Sequence, residues 1–149
     1  MDYRLLEKQV ASLGEEEAWY VPFLANVSAL LYETLPDLNW AGFYLLRDGA
    51  LVLGPFQGKT ACIHIAVGRG VCGTAVKEER TVLVPDVHAF PGHIACDSAS
   101  NSELVIPVRK DGKIVGVLDL DSPKTGRFQA EDAAGLEGVV KVLEERIAF

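Results

Sequence analysis

The chain has 149 residues, the length of one domain, and we expect a single domain over residues 1–149. With 49% apolar and 23% charged residues, the composition is typical of a globular protein and excludes a disordered chain. The 14 basic and 21 acidic residues give a net charge of −7, and no cluster of Lys and Arg is present, which argues against nucleic acid as a partner.

The sequence carries no signal for a membrane or for export. Its longest apolar runs fall far short of the roughly 20 residues that a membrane span needs. The charged N-terminus lacks the apolar stretch of a secretory signal, and an odd number of cysteines does not fit a structural disulfide framework. We therefore expect a protein of the cytoplasm, a reducing compartment, with no membrane partner.

Two helices and a hairpin are predicted in the first third of the chain. Residues 2–13 and about 18–35 are helical candidates, and the second carries apolar residues at three- and four-residue steps. Residues 40–46 and 50–56 are predicted to form two strands around the tight Asp-Gly turn at 48–49.

The middle of the chain predicts short elements and one long loop. A strand at 61–66 leads into a brief helix that ends near Glu79, and residues 81–84 form another strand. Residues 85–101 have no periodicity and contain two prolines and two histidines. A loop of this length inside a compact domain usually has a function.

The last third predicts a second hairpin and a final helix, which complete the fold class. Strands at 104–108 and 113–120 flank an Asp-Gly turn at 111–112, and residues 130–147 are predicted to form a helix with one apolar face. The order of helices, hairpin, short crossover, hairpin and helix predicts an α+β fold, with helices packed against a largely antiparallel sheet.

The run GlyArgGlyValCysGly at 68–73 matches the G-x-G-x-x-G pattern of dinucleotide-binding sites, follows a strand and opens a helix. However, the helix is only about eight residues long, and hairpins flank the unit where parallel βαβ crossovers are expected. These glycines are better explained by a tight turn into a helix.

A metal site is the second alternative. Its potential ligands are Cys62, His64, Cys72, His93 and Cys96. Structural zinc sites usually bring ligands in pairs at short C-x₂₋₄-C spacing, whereas Cys62 and His64 lie too close and Cys72 stands alone. We therefore expect no metal.

Thiol redox chemistry is the third interpretation, because all three cysteines lie between positions 62 and 96. Cys72 is in the opening turn of a predicted helix beside Arg69, where backbone N–H groups and a cation favour the thiolate. Cys96 is in the long loop, three residues after His93. A redox enzyme needs a nucleophilic thiol and a resolving thiol within reach of each other, and clustered cysteines can supply both.

Two acids form a further candidate site. Asp119 and Asp121 are two residues apart on a predicted strand, so both point to the same face. Carboxylates that share an apolar face raise each other's proton affinity, so one of them could serve as an acid near neutral pH. The spacing alone fits equally well with the solvated end of an edge strand.

Four segments closely resemble the free methionine-(R)-sulfoxide reductases, which are single-domain members of the GAF superfamily. The segments are 54–62 (GlyProPheGlnGlyLysThrAlaCys), 68–75 (GlyArgGlyValCysGlyThrAla), 86–103 with its GlyHisIleAlaCysAsp run, and 116–123 (GlyValLeuAspLeuAspSerPro). The resemblance covers residues 15–147 and is specific, because most GAF domains lack the three cysteines. It implies a central antiparallel sheet of about six strands, with the terminal helices on one face and the crossover segments on the other.

The resemblance also implies a role for each cysteine. Cys96 matches the nucleophile, Cys62 the principal resolving thiol and Cys72 an auxiliary recycling thiol. This assignment differs from the preference for Cys72 as the thiolate that its helix terminus alone suggests.

The resemblance implies five further site residues: the acids Glu103, Asp119 and Asp121, and the pocket-lining aromatic residues Trp40 and Tyr44. Trp40 and Tyr44 are four residues apart on a strand and so lie on one face. With a two-residue turn at 111–112, Leu104 rather than Glu103 would oppose Asp119, and Glu103 would point to the other face unless a bulge shifts the register.

The implied reaction is the reduction of free L-methionine (R)-S-oxide to methionine, without a cofactor or metal. An acid protonates the sulfoxide oxygen, the Cys96 thiolate attacks sulfur and becomes a sulfenic acid, and Cys62 condenses with it to a disulfide that thioredoxin reduces. We assign Asp119 to the oxygen, and Asp121 with Glu103 to the substrate's α-ammonium group. The family also hints at a homodimer. The alternative function is a GAF sensor that binds a small molecule without turning it over.

Overall fold

The computed structural model describes residues 1–93 and 99–149, which form four α-helices and six strands. In chain order the elements are α1 Tyr3–Glu16, α2 Tyr20–Thr34, β1 Trp40–Arg47, β2 Ala50–Gly58, β3 His64–Ala66, α3 Gly70–Glu78, β4 Val82–Val84, β5 Ser102–Lys110, β6 Lys113–Ser122 and α4 Ala130–Arg146. All the predicted helices and strands are present, although the strand predicted at 61–66 is shorter and begins at His64.

The six strands form a single sheet in the order β3-β2-β1-β6-β5-β4, with every neighbouring pair antiparallel. The two predicted hairpins are β1–β2 and β5–β6, and β1 pairs with β6 to join them at the centre of the sheet. The strands β3 and β4 lie at opposite edges, so the segment between them crosses one whole face. The predicted α+β class is confirmed.

The two faces of the sheet bury separate cores. On the first face, α1, α2 and α4 pack together over Ala41, Phe43, Leu118 and Leu120. On the second face, α3 packs against β5 and β6 and buries Val71, Ala75 and Val76 with Val105 and Val117 from the sheet. This arrangement confirms the prediction that the terminal helices cover one face and the crossover covers the other.

The glycine-rich run at 68–73 forms a tight turn into α3. Gly68 and Gly70 have φ values of +89° and +61°, a left-handed conformation that glycine adopts at little cost. The Gly68 N–H donates to the Gly73 carbonyl at 2.8 Å and closes the turn. Because β3 and β4 are not parallel neighbours, the dinucleotide-binding arrangement is not formed, and the glycines serve the turn as expected.

Within the described residues, none of the helices has the length and apolar character required to cross a membrane.

Candidate active site

A cleft lies between the second face of the sheet and the N-terminal end of α3, with an empty volume, including its open mouth, of about 540 Å³. Its lining includes six of the residues predicted for the site: Trp40, Tyr44, Cys72, Glu103, Asp119 and Asp121. Antiparallel pairing explains this convergence, because Trp40 pairs with Asp121 and Gly42 pairs with Asp119 across β1 and β6. Residues paired across neighbouring strands point to the same face.

A β-bulge brings Glu103 to the same face as the two aspartates. The hairpin β5–β6 begins with a regular turn, but its register shifts by one residue between Val108 and Arg109. Beyond the shift, Glu103 pairs with Asp121 and Val105 pairs with Asp119. Uniform pairing would have turned Glu103 to the opposite face, so the bulge decides its place in the site.

Glu103 and Asp119 are buried carboxyl groups, only 7% and 5% exposed. Burial raises the pKa of Glu103 well above its usual range, and the nearby charges of Asp119 and Asp121 raise it further. Burial also raises the pKa of Asp119, while hydrogen bonds from Glu103 and Cys72 lower it. Of the two carboxyl groups, Glu103 has its pKa raised by its neighbours as well as by burial, which favours Glu103 as the carrier of the proton and Asp119 as the acceptor. Since β6 is an interior strand, the alternative of a solvated edge is wrong.

One oxygen of Asp119 has no partner. Its Oδ1 atom is buried and accepts no hydrogen bond from any group in the described part of the chain. A buried acceptor without a donor costs about 1–3 kcal/mol, and more when it is charged. Because Asp119 lines the cleft, a ligand carrying an N–H or O–H group could supply the missing donor.

Cys72 is a free cysteine in the first turn of α3, and it is only 4% exposed. Burial raises the pKa of its thiol well above the usual range, and the charges of Asp119 and Glu103 raise it further. The expectation that the helix terminus and Arg69 make Cys72 a thiolate is therefore wrong. Arg69 is exposed, whereas the thiol lies inside beside carboxyl groups, and burial outweighs the helix terminus.

Cys72, Glu103 and Asp119 also have the side-chain types that can hold a metal ion, and their ligand atoms lie within 4.8 Å of one another. This trio differs from the ligand set considered from the sequence, which had no acids. Metal binding would have to displace the protons that burial favours on Cys72 and Glu103, because ligands bind metals in their deprotonated forms.

Of the two other cysteines, Cys62 lies within the described residues and Cys96 lies outside them. Cys62 is partly buried and disulfide-bonded, and its backbone carbonyl accepts a hydrogen bond from the Tyr44 hydroxyl at 2.8 Å. Cys96 lies within 94–98, outside the described residues, so its predicted place in the site remains a prediction.

Three aromatic rings form a stack along one wall. Trp40 stacks on Tyr44 with 5.9 Å between ring centroids, and on Phe56 with 5.1 Å. Gly42 lies between Trp40 and Tyr44 on the strand, and a Cβ there would collide with the Cβ of Phe56. The stack therefore requires glycine at this position.

Among the lining residues that were not assigned a substrate-binding role from the sequence are two basic residues, Arg69 and His93. Arg69 is exposed and lies at the α3 side of the cleft. His93 is partly buried, with its Nε2 atom 4.0 Å from Oε1 of Glu103. Burial lowers the pKa of His93, which favours its neutral form. Sequence periodicity could not identify either residue, because one is in a turn and the other is in the long loop.

Comparisons with known proteins show which family the chain belongs to. Residues 15–144 match the family model described as GAF domain. The chain is 56% identical over 146 residues to the free methionine-R-sulfoxide reductase of Escherichia coli (strain K12), covering 98% of this chain and 88% of that protein. The structure of fRMsr of Staphylococcus aureus in complex with substrate has a TM-score of 0.94 at 55% identity, covering 99% of this chain and 97% of that one. The free methionine-R-sulfoxide reductase from Neisseria meningitidis, in complex with its substrate, has a TM-score of 0.93 at 46% identity, covering 97% and 87% of the two chains.

Proposed function

Because the chain belongs to the free methionine-R-sulfoxide reductase family of GAF domains, we propose that it reduces free L-methionine (R)-S-oxide to L-methionine. One observation in the structure supports this function most strongly: Glu103 and Asp119 form a buried pair of carboxyl groups at the cleft, and burial raises the pKa of Glu103. Protonation of the sulfoxide oxygen makes the sulfur electrophilic and turns the oxygen into a hydroxyl group that can be transferred, and a buried acid with a raised pKa can donate this proton near neutral pH.

We assign Glu103 to the sulfoxide oxygen, which revises the assignment made from the sequence. The pKa of Glu103 is raised by burial and by two neighbouring carboxylates, whereas Asp119 accepts a hydrogen bond from it. Glu103 therefore holds the transferable proton in the resting site. Asp119 is the anionic member of the pair.

Asp119 and Asp121 then bind the α-ammonium group of the free amino acid. The Asp119 Oδ1 atom is a buried acceptor that lacks a donor in the described residues, and an ammonium group supplies up to three N–H donors. Peptide-bound methionine sulfoxide has no ammonium group at this place, so this recognition favours the free amino acid. Arg69 lies on the α3 side of the cleft and is suited to the substrate's carboxylate.

The thiols carry the electrons. The Cys96 thiolate attacks the protonated sulfoxide sulfur, and the substrate's S–O bond breaks as the hydroxyl group is transferred to the Cys96 sulfur. The transient bond between the two sulfurs then breaks, so methionine leaves and Cys96 becomes a sulfenic acid. The Cys62 thiol attacks this sulfenic acid, forms a disulfide and releases water, so the substrate gains two electrons and the two thiols lose them. Thioredoxin then reduces the disulfide.

Two features of the described cysteines support this division of roles. Cys62 is disulfide-bonded, while Cys72 is a buried free thiol with a raised pKa. A protonated thiol is a poor first nucleophile, which is consistent with an auxiliary recycling role for Cys72. No metal or cofactor takes part in these steps.

Thiol counting tests this proposal. The reduced protein contains three thiols, and one turnover without added reductant is expected to consume two of them and release one methionine. Methionine sulfone, which has the same amino-acid groups but is not reduced by this chemistry, is the matched control and is expected to leave all three thiols. Retention of all three thiols with the sulfoxide would contradict the proposal and favour a binding-only sensor.

A further inference from the structure

The segment 59–62, which ends at Cys62, is held by two aromatic side chains of β1. The Trp40 indole N–H donates to the Lys59 carbonyl at 3.1 Å, and the Tyr44 hydroxyl donates to the Cys62 carbonyl at 2.8 Å. We infer that Trp40 and Tyr44 are positioning residues that hold Cys62 for closure of the disulfide, in addition to forming a wall of the cleft. This inference rests on the resolving role proposed for Cys62.

The two donors are rigid because their rings are stacked. Trp40 lies between Phe56 and Tyr44, with interplanar angles of 15° and 22°. Trp40 and Tyr44 are both only 2% exposed, and both come from the central strand pair of the sheet. The segment is thus held at its first and its last residue by hydrogen bonds from two side chains of β1, an interior strand of the sheet.

Tyr44 is well suited to be a permanent donor. Burial raises the pKa of its hydroxyl far above the usual range, and the charges of Asp119 and Cys72 raise it further. The hydroxyl therefore keeps its proton at every pH at which the protein works. Its hydrogen bond is directed to the backbone carbonyl of Cys62 and not to the sulfur, so it can persist in both the thiol and the disulfide form.

The anchoring matters most for one chemical step. When the Cys62 thiol attacks the sulfenic acid, the new S–S bond forms, water leaves with the sulfenic oxygen, and no outside reactant is needed. The rate of such an intramolecular step depends on how often the two sulfurs meet. Releasing one end of 59–62 lets Cys62 explore other positions and slows closure, whereas the earlier attack on the substrate does not use the Cys62 thiol.

Tyr44→Phe and Trp40→Phe each remove one of these hydrogen bonds and keep an aromatic ring in the stack. The closure rate is the rate at which a sulfenic acid that can be trapped by dimedone disappears after it has been formed. Each variant is expected to slow closure by roughly 2- to 13-fold, the effect of losing one ordinary hydrogen bond. The double variant is expected to slow closure more than either single variant.

Two controls separate positioning from a structural or pocket effect. Tyr3→Phe removes a tyrosine hydroxyl that donates to Asp132 between α1 and α4, in the core on the opposite face of the sheet from Cys62, and this variant is expected to close the disulfide at the wild-type rate. The rate of methionine release in the first turnover is measured on the same samples. Slower closure relative to first turnover is the expected signature of positioning.

In a parallel experiment the sulfenic acid is generated with hydrogen peroxide instead of methionine sulfoxide, because peroxide oxidises a thiolate directly. Closure is therefore measured even if the protein does not reduce methionine sulfoxide, so failure of the proposed function and failure of this inference are distinct results. Closure at the wild-type rate in both single variants would overturn the inference. An equal loss of first turnover and closure would also overturn it, because that result indicates only a pocket wall.

Discussion

Glu103→Gln is the substitution that examines the chemistry of the site most sharply. Glutamine keeps the size of the side chain and can still donate an N–H hydrogen bond to Asp119, but it has no proton to transfer. Glu103 is 7% exposed, and burial with two neighbouring carboxylates raises its pKa. Removing a positioned proton donor typically lowers kcat by about 10²- to 10⁴-fold, and we expect a loss in that range with little change in KM.

The assay is steady-state reduction of free methionine (R)-sulfoxide with excess dithiothreitol, so that recycling does not limit the rate. In the wild-type protein, kcat is expected to fall as the pH rises through the raised pKa of Glu103, because the protonated form is the active one. The variant is expected to lack this limb of the profile. Glu33→Gln, at an exposed position on α2, is the matched control. A kcat for Glu103→Gln within about threefold of the wild-type value would refute the assignment.

The same substitution is expected to change how the free energy of unfolding depends on pH. A carboxyl group whose pKa is raised in the folded state holds a proton that the unfolded chain has lost, so the free energy of unfolding falls as pH rises. The fall begins at the unfolded pKa near 4.5 and continues to the raised folded value, at about 1.4 kcal/mol per pH unit for one proton. Glu103→Gln is expected to remove this contribution, so the slope measured by urea unfolding between these limits becomes less steep. An unchanged slope would count against a raised pKa at Glu103.

Three other substitutions test the remaining roles. Cys96→Ser is expected to abolish turnover even with dithiothreitol, and substantial remaining activity would remove Cys96 from the nucleophilic role. Cys62→Ser is expected to retain more activity with dithiothreitol than with thioredoxin, and an equal loss with both reductants would indicate that Cys62 does more than resolve. Asp119→Asn is expected to raise KM by roughly 10- to 150-fold, which is the effect of losing a hydrogen bond to a charged group. A loss confined to kcat would instead indicate that Asp119 acts on the sulfoxide oxygen.

Local sequence patterns predicted most of the fold. Apolar residues at helical spacing identified α2 and α4, and the Asp-Gly turns at 48–49 and 111–112 located both hairpins. The short strand β3 was predicted with less precision, because a three-residue edge strand contains little periodicity. The register of β5 against β6 could not be predicted from the sequence, because the bulge between Val108 and Arg109 depends on how β6 packs against its neighbours.

The site was predicted from motifs, and its electrostatics required the structure. The spacing of Asp119 and Asp121 correctly placed them on one face, but only the bulge brings Glu103 beside them. Cys72 was expected to be a thiolate because of its helix terminus, yet the acids that surround it come from distant strands. Charge and burial at a site are set by tertiary contacts, which local sequence cannot supply.

The hydrogen bonds of Trp40 and Tyr44 are also tertiary contacts that local sequence could not predict. Their four-residue spacing predicts a shared face, and both line the cleft. Nothing in that spacing indicates that their polar atoms reach Lys59 and Cys62, because those residues lie beyond the partner strand. The role of Cys96 stays a prediction that only its substitution will test.

The most direct test of the central claim is an assay of three substrates with thioredoxin, thioredoxin reductase and NADPH: free L-methionine (R)-S-oxide, its (S) epimer and N-acetylmethionine (R)-S-oxide. We predict rapid turnover of the free (R) epimer, with far lower kcat/KM for the other two. The N-acetyl compound lacks the ammonium group that the unpaired Asp119 oxygen is expected to bind. No turnover of the free (R) epimer with either thioredoxin or dithiothreitol would contradict the proposed reaction, and equal turnover of the N-acetyl compound would contradict recognition of the ammonium group.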